Sequence, residues 1–314
     1  MKSLLLSALV TATAFAAEPV YELIGHIQPE GVATVSLFGS TTPFRGATTS
    51  DPAGKFTFKK IEAGTYTVAV LFSARGLARR TVEVGPGTAD EHRRVNVNLE
   101  FQDSDFVLAD AVRRRHSISA RQLFIPGKAL HDYDDAQKAL ARHQIDSAVK
   151  SLEHAVELAR QFAAAWNELG TLAYQTGKFE RAEQCFRQAL DQDPEAFEPL
   201  VNLGGVLVTL RRTDEALDYN LRAVRAEPND VPANSQLGQA YFQAGNYDLA
   251  LKYLERARQI DPTHYSHPQL FMVEIHLRRG ERQAAAADLE DFLQHHPDWP
   301  QAAAIRQAIT ELLQ

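Results

Sequence analysis

Between Tyr21 and about Phe101 apolar and polar residues alternate with a period of two. Val32-Ala33-Thr34-Val35-Ser36-Leu37-Phe38, Lys55-Phe56-Thr57-Phe58, Tyr66-Thr67-Val68-Ala69-Val70, Thr81-Val82-Glu83-Val84 and Val95-Asn96-Val97-Asn98-Leu99 each read as a strand with one buried face, because an extended chain points successive side chains to opposite sides. β-Branched and aromatic residues hold many of the positions, as strands prefer. Asp51-Pro52-Ala53-Gly54, Ala63-Gly64 and Gly85-Pro86-Gly87 separate these runs as turns. About seven short strands at this spacing predict a β-sandwich. From about Ala129 the apolar period lengthens to that of a helix and stays so. The expected fold is therefore multidomain, an N-terminal all-β sandwich followed by an all-α solenoid.

The helical part repeats itself. Leu169, Leu203 and Leu237 are evenly spaced at 34 residues, and so are Gly170, Gly204 and Gly238. Ala182, Ala216 and Ala250, then Ala189, Ala223 and Ala257, then Pro194, Pro228 and Pro262 keep the same interval. A given residue type recurs at a chosen site about one time in ten from composition alone, so coincidence across five registers is negligible. The spacing has physical sense. Glycine beside the leucine lets one helix approach its partner closely, the two alanines lie two turns apart on one face of the second helix, and the proline stops that helix. Gly177 and Gly245 suit left-handed helix ends. No single hairpin buries its apolar face, so stacking must do so.

These residues resemble the tetratricopeptide repeat, whose pattern Trp166, Leu169, Gly170, Ala182, Phe186, Ala189 and Pro194 display in one unit, with Ala173 where the family prefers tyrosine and Tyr241 in that place two units later. The resemblance divides 129–299 into five repeats, at 129–162, 163–196, 197–230, 231–264 and 266–299. The first keeps Ala148, Leu152 and Ala155 but has Arg160 in place of the proline; the last keeps Gly280, Ala285 and Pro297 after a one-residue slip near His264. Residues 300–314 predict a capping helix with Ala303, Ile305, Ile309, Leu312 and Leu313 on its apolar side. In the first domain, over 18–101, Asp51-x-x-Gly54-x-Phe56 and Ile61-x-Ala63-Gly64-x-Tyr66-x-Val68 resemble the carboxypeptidase regulatory-like (transthyretin-like) domain. That resemblance implies that Asp51 and Gly54 make a turn, that Tyr66 packs inward, and that the domain is non-catalytic.

Charge and composition change this picture little. Hydrophobic residues make up 45% and charged residues 23% of the 314-residue chain, ordinary values for a globular protein. A formal net charge of −7 argues against nucleic acid as a partner, which calls for a basic face. The single cysteine, Cys185, allows no internal disulfide and reads as a packed residue. The N-terminus adds more. Lys2, the apolar run from Leu4 to Ala17, and Ala14-Phe15-Ala16 at its end predict a signal peptide over 1–17. The chain is expected to be exported, periplasmic or secreted in a bacterial cell envelope, with no transmembrane segment after cleavage. A connector at 102–128 carries Arg113-Arg114-Arg115-His116, then Leu123, Phe124 and Ile125, which are expected to pack on the first repeat with Pro126 just ahead of its helix.

No His-Glu-x-x-His, Gly-x-Ser-x-Gly or P-loop spacing occurs, and His264-x-x-His267 and His295-His296 are short of the three or four converging ligands a zinc site needs. No enzyme, metal or cofactor is expected. The resemblance instead implies that the first helix of each repeat lines a concave face. Carried onto this sequence, the groove positions are Asn167, Thr171, Tyr174 and Gln175, then Val201, Asn202, Gly205 and Val208, then Ser235, Gln236, Gln239 and Phe242. Asn167, Thr171, Tyr174, Asn202, Gln236, Gln239 and Phe242 are the expected partner contacts, amides for an extended backbone and rings for apolar area. Some cochaperone members clamp a terminal carboxylate with basic residues; Asn167, Asn202 and Gln236 leave this groove without them. The expected function is that of an exported adaptor holding a protein or peptide. The alternative is glycan binding through the sandwich, with the repeats serving assembly.

Overall fold

The computed structural model describes residues 19–107, 124–297 and 299–314. The expected signal peptide and the basic run of the connector lie outside them. Seven strands come first: β1 (Tyr21–Gln28), β2 (Thr34–Gly39), β3 (Arg45–Thr49), β4 (Lys55–Ile61), β5 (Gly64–Phe72), β6 (Gly76–Val84) and β7 (Arg94–Glu100). They form two sheets, β4-β1-β7 and β3-β2-β5-β6. Neighbours run antiparallel except β1 and β7, which are parallel. Strand alternation directs Leu23, Ile27, Val35, Leu37, Ile61, Tyr66, Val68 and Val70 into the space between the sheets, where each is fully buried.

Asp51 and Gly54 turn the chain from β3 into β4. The Asp51 carboxylate accepts from the Lys55 amide at 2.8 Å, and Gly54 sits at φ +76°, where a Cβ would lie 2.5 Å from the Ile27 carbonyl oxygen. Tyr66 packs inward, edge-on to Phe44 at 5.7 Å, and its hydroxyl donates to the Glu62 carbonyl at 2.9 Å. Two strands, β1 and β3, were not among the runs read as strands. Gly25 interrupts the apolar alternation of β1 because the Phe56 ring fills the place of its side chain. β3 is an edge strand of Arg-Gly-Ala-Thr-Thr with no fully buried residue.

Eleven helices follow among the described residues. They are α1 (Gly127–Leu140), α2 (Ile145–Leu158), α3 (Ala163–Gln175), α4 (Phe179–Gln192), α5 (Phe197–Thr209), α6 (Thr213–Ala226), α7 (Val231–Gln243), α8 (Tyr247–Ile260), α9 (Pro268–Arg279), α10 (Arg282–His295) and α11 (Ala302–Leu313). The first ten pair into five stacked hairpins. Ala182, Ala189, Ala216, Ala223, Ala250 and Ala257 are fully buried between them. Gly170, Gly204 and Gly238 face Phe186, Asn220 and Leu254 of the partner helix respectively, where a Cβ would come within 2.6 Å or less. Gly177, Gly245 and Gly280 end their helices at φ near +74°, as left-handed caps do. His143 and Arg211 occupy the same turn position in the other two hairpins, at φ +57°.

Helix α11 caps the array with Ile305, Ala308, Ile309 and Leu312 against Val273 and Leu289. Leu313 points outward at 57% exposure, so the apolar side is centred on Ala308 and not on the chain end. In the connector Ile125 packs on the first repeat, whereas Phe124 is 78% exposed. No helix among the described residues is long and apolar enough to cross a membrane.

A candidate partner-binding cleft between sandwich and solenoid

The outer face of sheet β3-β2-β5-β6 is turned toward the concave side of the solenoid. Each of the five hairpin repeats supplies a polar contact to the sandwich. His143, in the α1–α2 turn, lies 3.3 Å from the Glu62 carboxylate and stacks on Phe44 at 5.0 Å. Gln175, at the end of α3, donates to the Gly39 carbonyl at 2.8 Å. From the same helix Glu168 accepts from the Arg45 guanidinium at 2.8 Å. Asp230, just ahead of α7, lies 3.7 Å from Arg79. Asp261, after α8, accepts from the Thr81 amide at 3.1 Å. His296, after α10, faces Glu83 at 3.6 Å. The sheet thus meets hairpin turns of the first repeats at one edge of the groove and inter-repeat loops of the later ones at the other.

The Thr81–Asp261 contact is the most enclosed of these, and the Arg45–Glu168 pair is part-buried. Arg45 also lies over the Phe38 ring at 4.9 Å. Burial raises the Glu168 carboxyl, and the Arg45 charge and hydrogen bond oppose that rise. Burial, with the Glu168 charge beside it, pushes the Tyr133 phenol up to about 12. At the other end burial raises Tyr265, with Tyr174 and Asp230 adding to it. The Glu83 carboxyl is held below its usual range by the His296 ring beside it.

Contact between the two domains is not continuous. Two clefts of about 610 and 700 Å³ lie between them and share Thr67, Leu77, Arg79, Phe197, Asp230 and Pro232 in their walls. The smaller is walled by Ser36, Phe38 and Ala69 of the sheet and by Asn167, Thr171, Gln175 and Asn202 of the helices. The pair is of a size that accommodates ligands; in the smaller cleft Arg45 and Arg79 are matched by Glu168 and Asp230, and Asp193 and Glu198 add an acidic excess at its helical wall.

The expected groove residues separate into two groups. Asn167, Thr171 and Asn202, with Gln175 and Val201, come together in the smaller cleft, where Asn202 donates to the Asn167 side-chain oxygen at 2.9 Å. The others line the helical stack outside both clefts. Tyr174 is 38% exposed, with its hydroxyl 3.2 Å from that of Thr209. Gln236 packs over Gly205, and its Oε1 is buried without a hydrogen-bond partner. Gln239 donates to Ser235 at 3.2 Å. Phe242 meets Tyr247 and Phe271, and Arg278 covers its ring at 4.8 Å. Sequence reasoning passed over Arg45 and Glu168. The available signal was that Glu168 is the one charged residue in Ala163–Gln175, a helix otherwise neutral. Among the described residues no group of three or more His, Cys, Asp or Glu side chains is placed to hold a metal ion.

Comparison with known proteins agrees with the helical half of this architecture. Family models described as tetratricopeptide repeat match residues 133–196, 168–231 and 231–264, so residues 133–264 are tetratricopeptide repeats. The human cell division cycle protein 16 homolog is 29% identical over 119 residues, 35% of this chain and 19% of that protein. Human tetratricopeptide repeat protein 5 is 27% identical over 214 residues, 62% of this chain and 46% of that protein. The chain therefore spans between about a fifth and somewhat under half of these relatives. Among solved structures, MamA 41-end from Desulfovibrio magneticus RS-1 superposes with a TM-score of 0.51 at 20% identity, over 56% of this chain and 99% of that one. At that identity the likeness is one of fold.

Proposed function

We propose that this chain, whose residues 133–264 are tetratricopeptide repeats, is an exported, non-catalytic adaptor that binds an extended segment of a partner protein on its concave face. The observation that carries the reading is the juxtaposition of Asn167, Thr171 and Asn202 in one cleft. An extended backbone presents alternating donors and acceptors, and carboxamides and hydroxyls serve both. Tyr174, Gln236, Gln239 and Phe242 extend the same surface toward the fourth repeat. Export rests on the apolar N-terminal run, and the sandwich at 18–101 is read as a carboxypeptidase regulatory-like module that positions the repeats.

Site-specific photocrosslinking tests this. A photoreactive residue at Thr171 or Asn202 should give discrete protein adducts in the native cell, whereas the same residue at the exposed Lys252 of helix α8 should not. Adducts confined to Lys252, with none from either groove position, would overturn the assignment. Fractionation of the same cells tests export: a full-length, cytoplasmic chain would refute it.

A further inference from the structure

The sandwich lies across the surface just assigned to the partner. Asn167, Thr171 and Asn202 face the sheet, so a long segment cannot reach them while the sheet stays in place. Three observations bear on whether it stays. First, the interface is polar and interrupted. It is held by Arg45–Glu168, Arg79–Asp230, His143 against Phe44 and Glu62, His296 against Glu83, and single hydrogen bonds to Gly39 and Thr81, and two clefts pass through it. An inter-domain contact of this kind resembles a transient interface more than a core. Second, the charges are complementary, with Arg45 and Arg79 of the sheet on Glu168 and Asp230 of the helices; the guanidinium side of each pair is about a third exposed, so water and salt reach it. Third, His143 holds φ +57° where three sister turns carry glycine. Arg211 holds the same backbone in an exposed turn, so what sets His143 apart is its contacts, Phe44 and Glu62 of the sandwich.

We propose that the β-sandwich is a resident occupant of the concave face, a detachable cover whose release admits the partner. This inference rests on the reading of that face as the partner surface. The cover and the incoming segment compete for Asn167, Thr171 and Asn202. The apparent affinity of the partner is then its intrinsic affinity reduced by the fraction of chains standing open, and ionic strength shifts that fraction.

A thiol reporter tests the proposal on the full chain without any partner. Cys185 is fully buried, so Thr171→Cys supplies the reactive thiol, and the probe is a polyethylene-glycol maleimide too bulky to enter either cleft. With the cover seated, labelling should be slow beside a Lys252→Cys reporter. Arg45→Glu with Arg79→Glu should accelerate it by about tenfold or more, the scale expected when two charge pairs become repulsive. Adding Glu168→Arg and Asp230→Arg should restore slow labelling, and salt should accelerate the reporter in the unmutated background. Labelling of Thr171→Cys as fast as Lys252→Cys from the outset would overturn the proposal. So would a rate unmoved by both charge reversal and salt. Labelling of Cys185 would mark a variant that unfolds, in which case the salt series alone decides. If the reporter opens as expected but photocrosslinking from the opened chain yields no adduct, the partner reading fails and the cover stands.

Discussion

The carboxamide of Asn220 is pressed against Gly204, so closely that a Cβ there would lie 2.1 Å from its Oδ1. Asn220 is fully buried, and neither its nitrogen nor its oxygen has a hydrogen-bond partner. At the same register the first, second and fourth repeats place Leu152, Phe186 and Leu254, all fully buried or nearly so. Burying an amide without partners costs on the order of 1–3 kcal/mol. Asn220→Leu should therefore stabilise the solenoid by about that amount, seen as a higher denaturation midpoint at unchanged slope; a lower midpoint would refute it. Gly204→Ala should do the opposite, because helix α5 cannot move off α6 without opening the stack.

Arg211 and His143 share a left-handed turn position with three glycines, and they should respond differently to replacement. Arg211 is exposed and its left-handed backbone is a cost of about 1 kcal/mol that glycine lacks. Arg211→Gly should raise thermal stability slightly. His143→Gly relieves the same strain but removes the contacts to Phe44 and Glu62, so it should give no gain. Equal gains at both sites would show that the His143 contacts carry no weight.

The Arg45–Glu168 pair is asymmetric. Glu168 is 14% exposed and Arg45 36%. Removing Arg45 strands a buried carboxylate, a loss of roughly 3 kcal/mol by precedent for buried pairs. Removing Glu168 leaves a cation that can turn to water, at about 1 kcal/mol. Arg45→Met should thus destabilise more than Glu168→Gln at neutral pH, and the gap should close as acid protonates Glu168. Equal losses at neutral pH would contradict the burial argument.

The repeats were legible because their packing is written three times over. One glycine, two alanines and a proline recur wherever a hairpin must close, and each recurrence reports the same contact. Strands β2, β4, β5, β6 and β7 were legible from alternation into a shared core. Docking of the two domains was not, for a physical reason. Ser36, Thr67, Arg79 and Thr81 alternate outward from the sheet as solvent-facing residues do, and nothing in a period of two tells water from a second domain. The same holds for Phe242: its register puts it on the first helix of its repeat, but whether its ring turns into the groove or toward Phe271 is decided by the next repeat. β3 escaped notice because an edge strand that buries little need carry no apolar pattern.

Acid should weaken the C-terminal repeat, and the sign can be worked out group by group. Burial lowers His267 to about 4, helped by His296 beside it; it lowers His264 as well, against the pull of Asp261. A free histidine takes its proton near 6.5. Between there and about 4 the unfolded chain binds protons that the folded chain refuses, so stability present above pH 6.5 is lost on acidification through that window. Asp288 acts in the opposite sense. Burial raises its carboxyl to about 6, opposed by His276 and Arg258, and its Oδ2 has no hydrogen-bond partner. The folded chain binds that proton first, so the Asp288 contribution is full below pH 4 and is lost as pH rises through 6. In the shared window the two histidines should outweigh the one aspartate, and the melting temperature should fall from pH 7 to about pH 4.5. Asp288→Asn should raise stability at neutral pH and steepen the acid loss, since the compensating proton is gone. His267→Asn keeps a residue that tolerates the left-handed φ of +46° and should flatten it. Melting curves of the three proteins across that range check the signs, and an acid loss unchanged by His267→Asn would show that the histidine cluster is not its source.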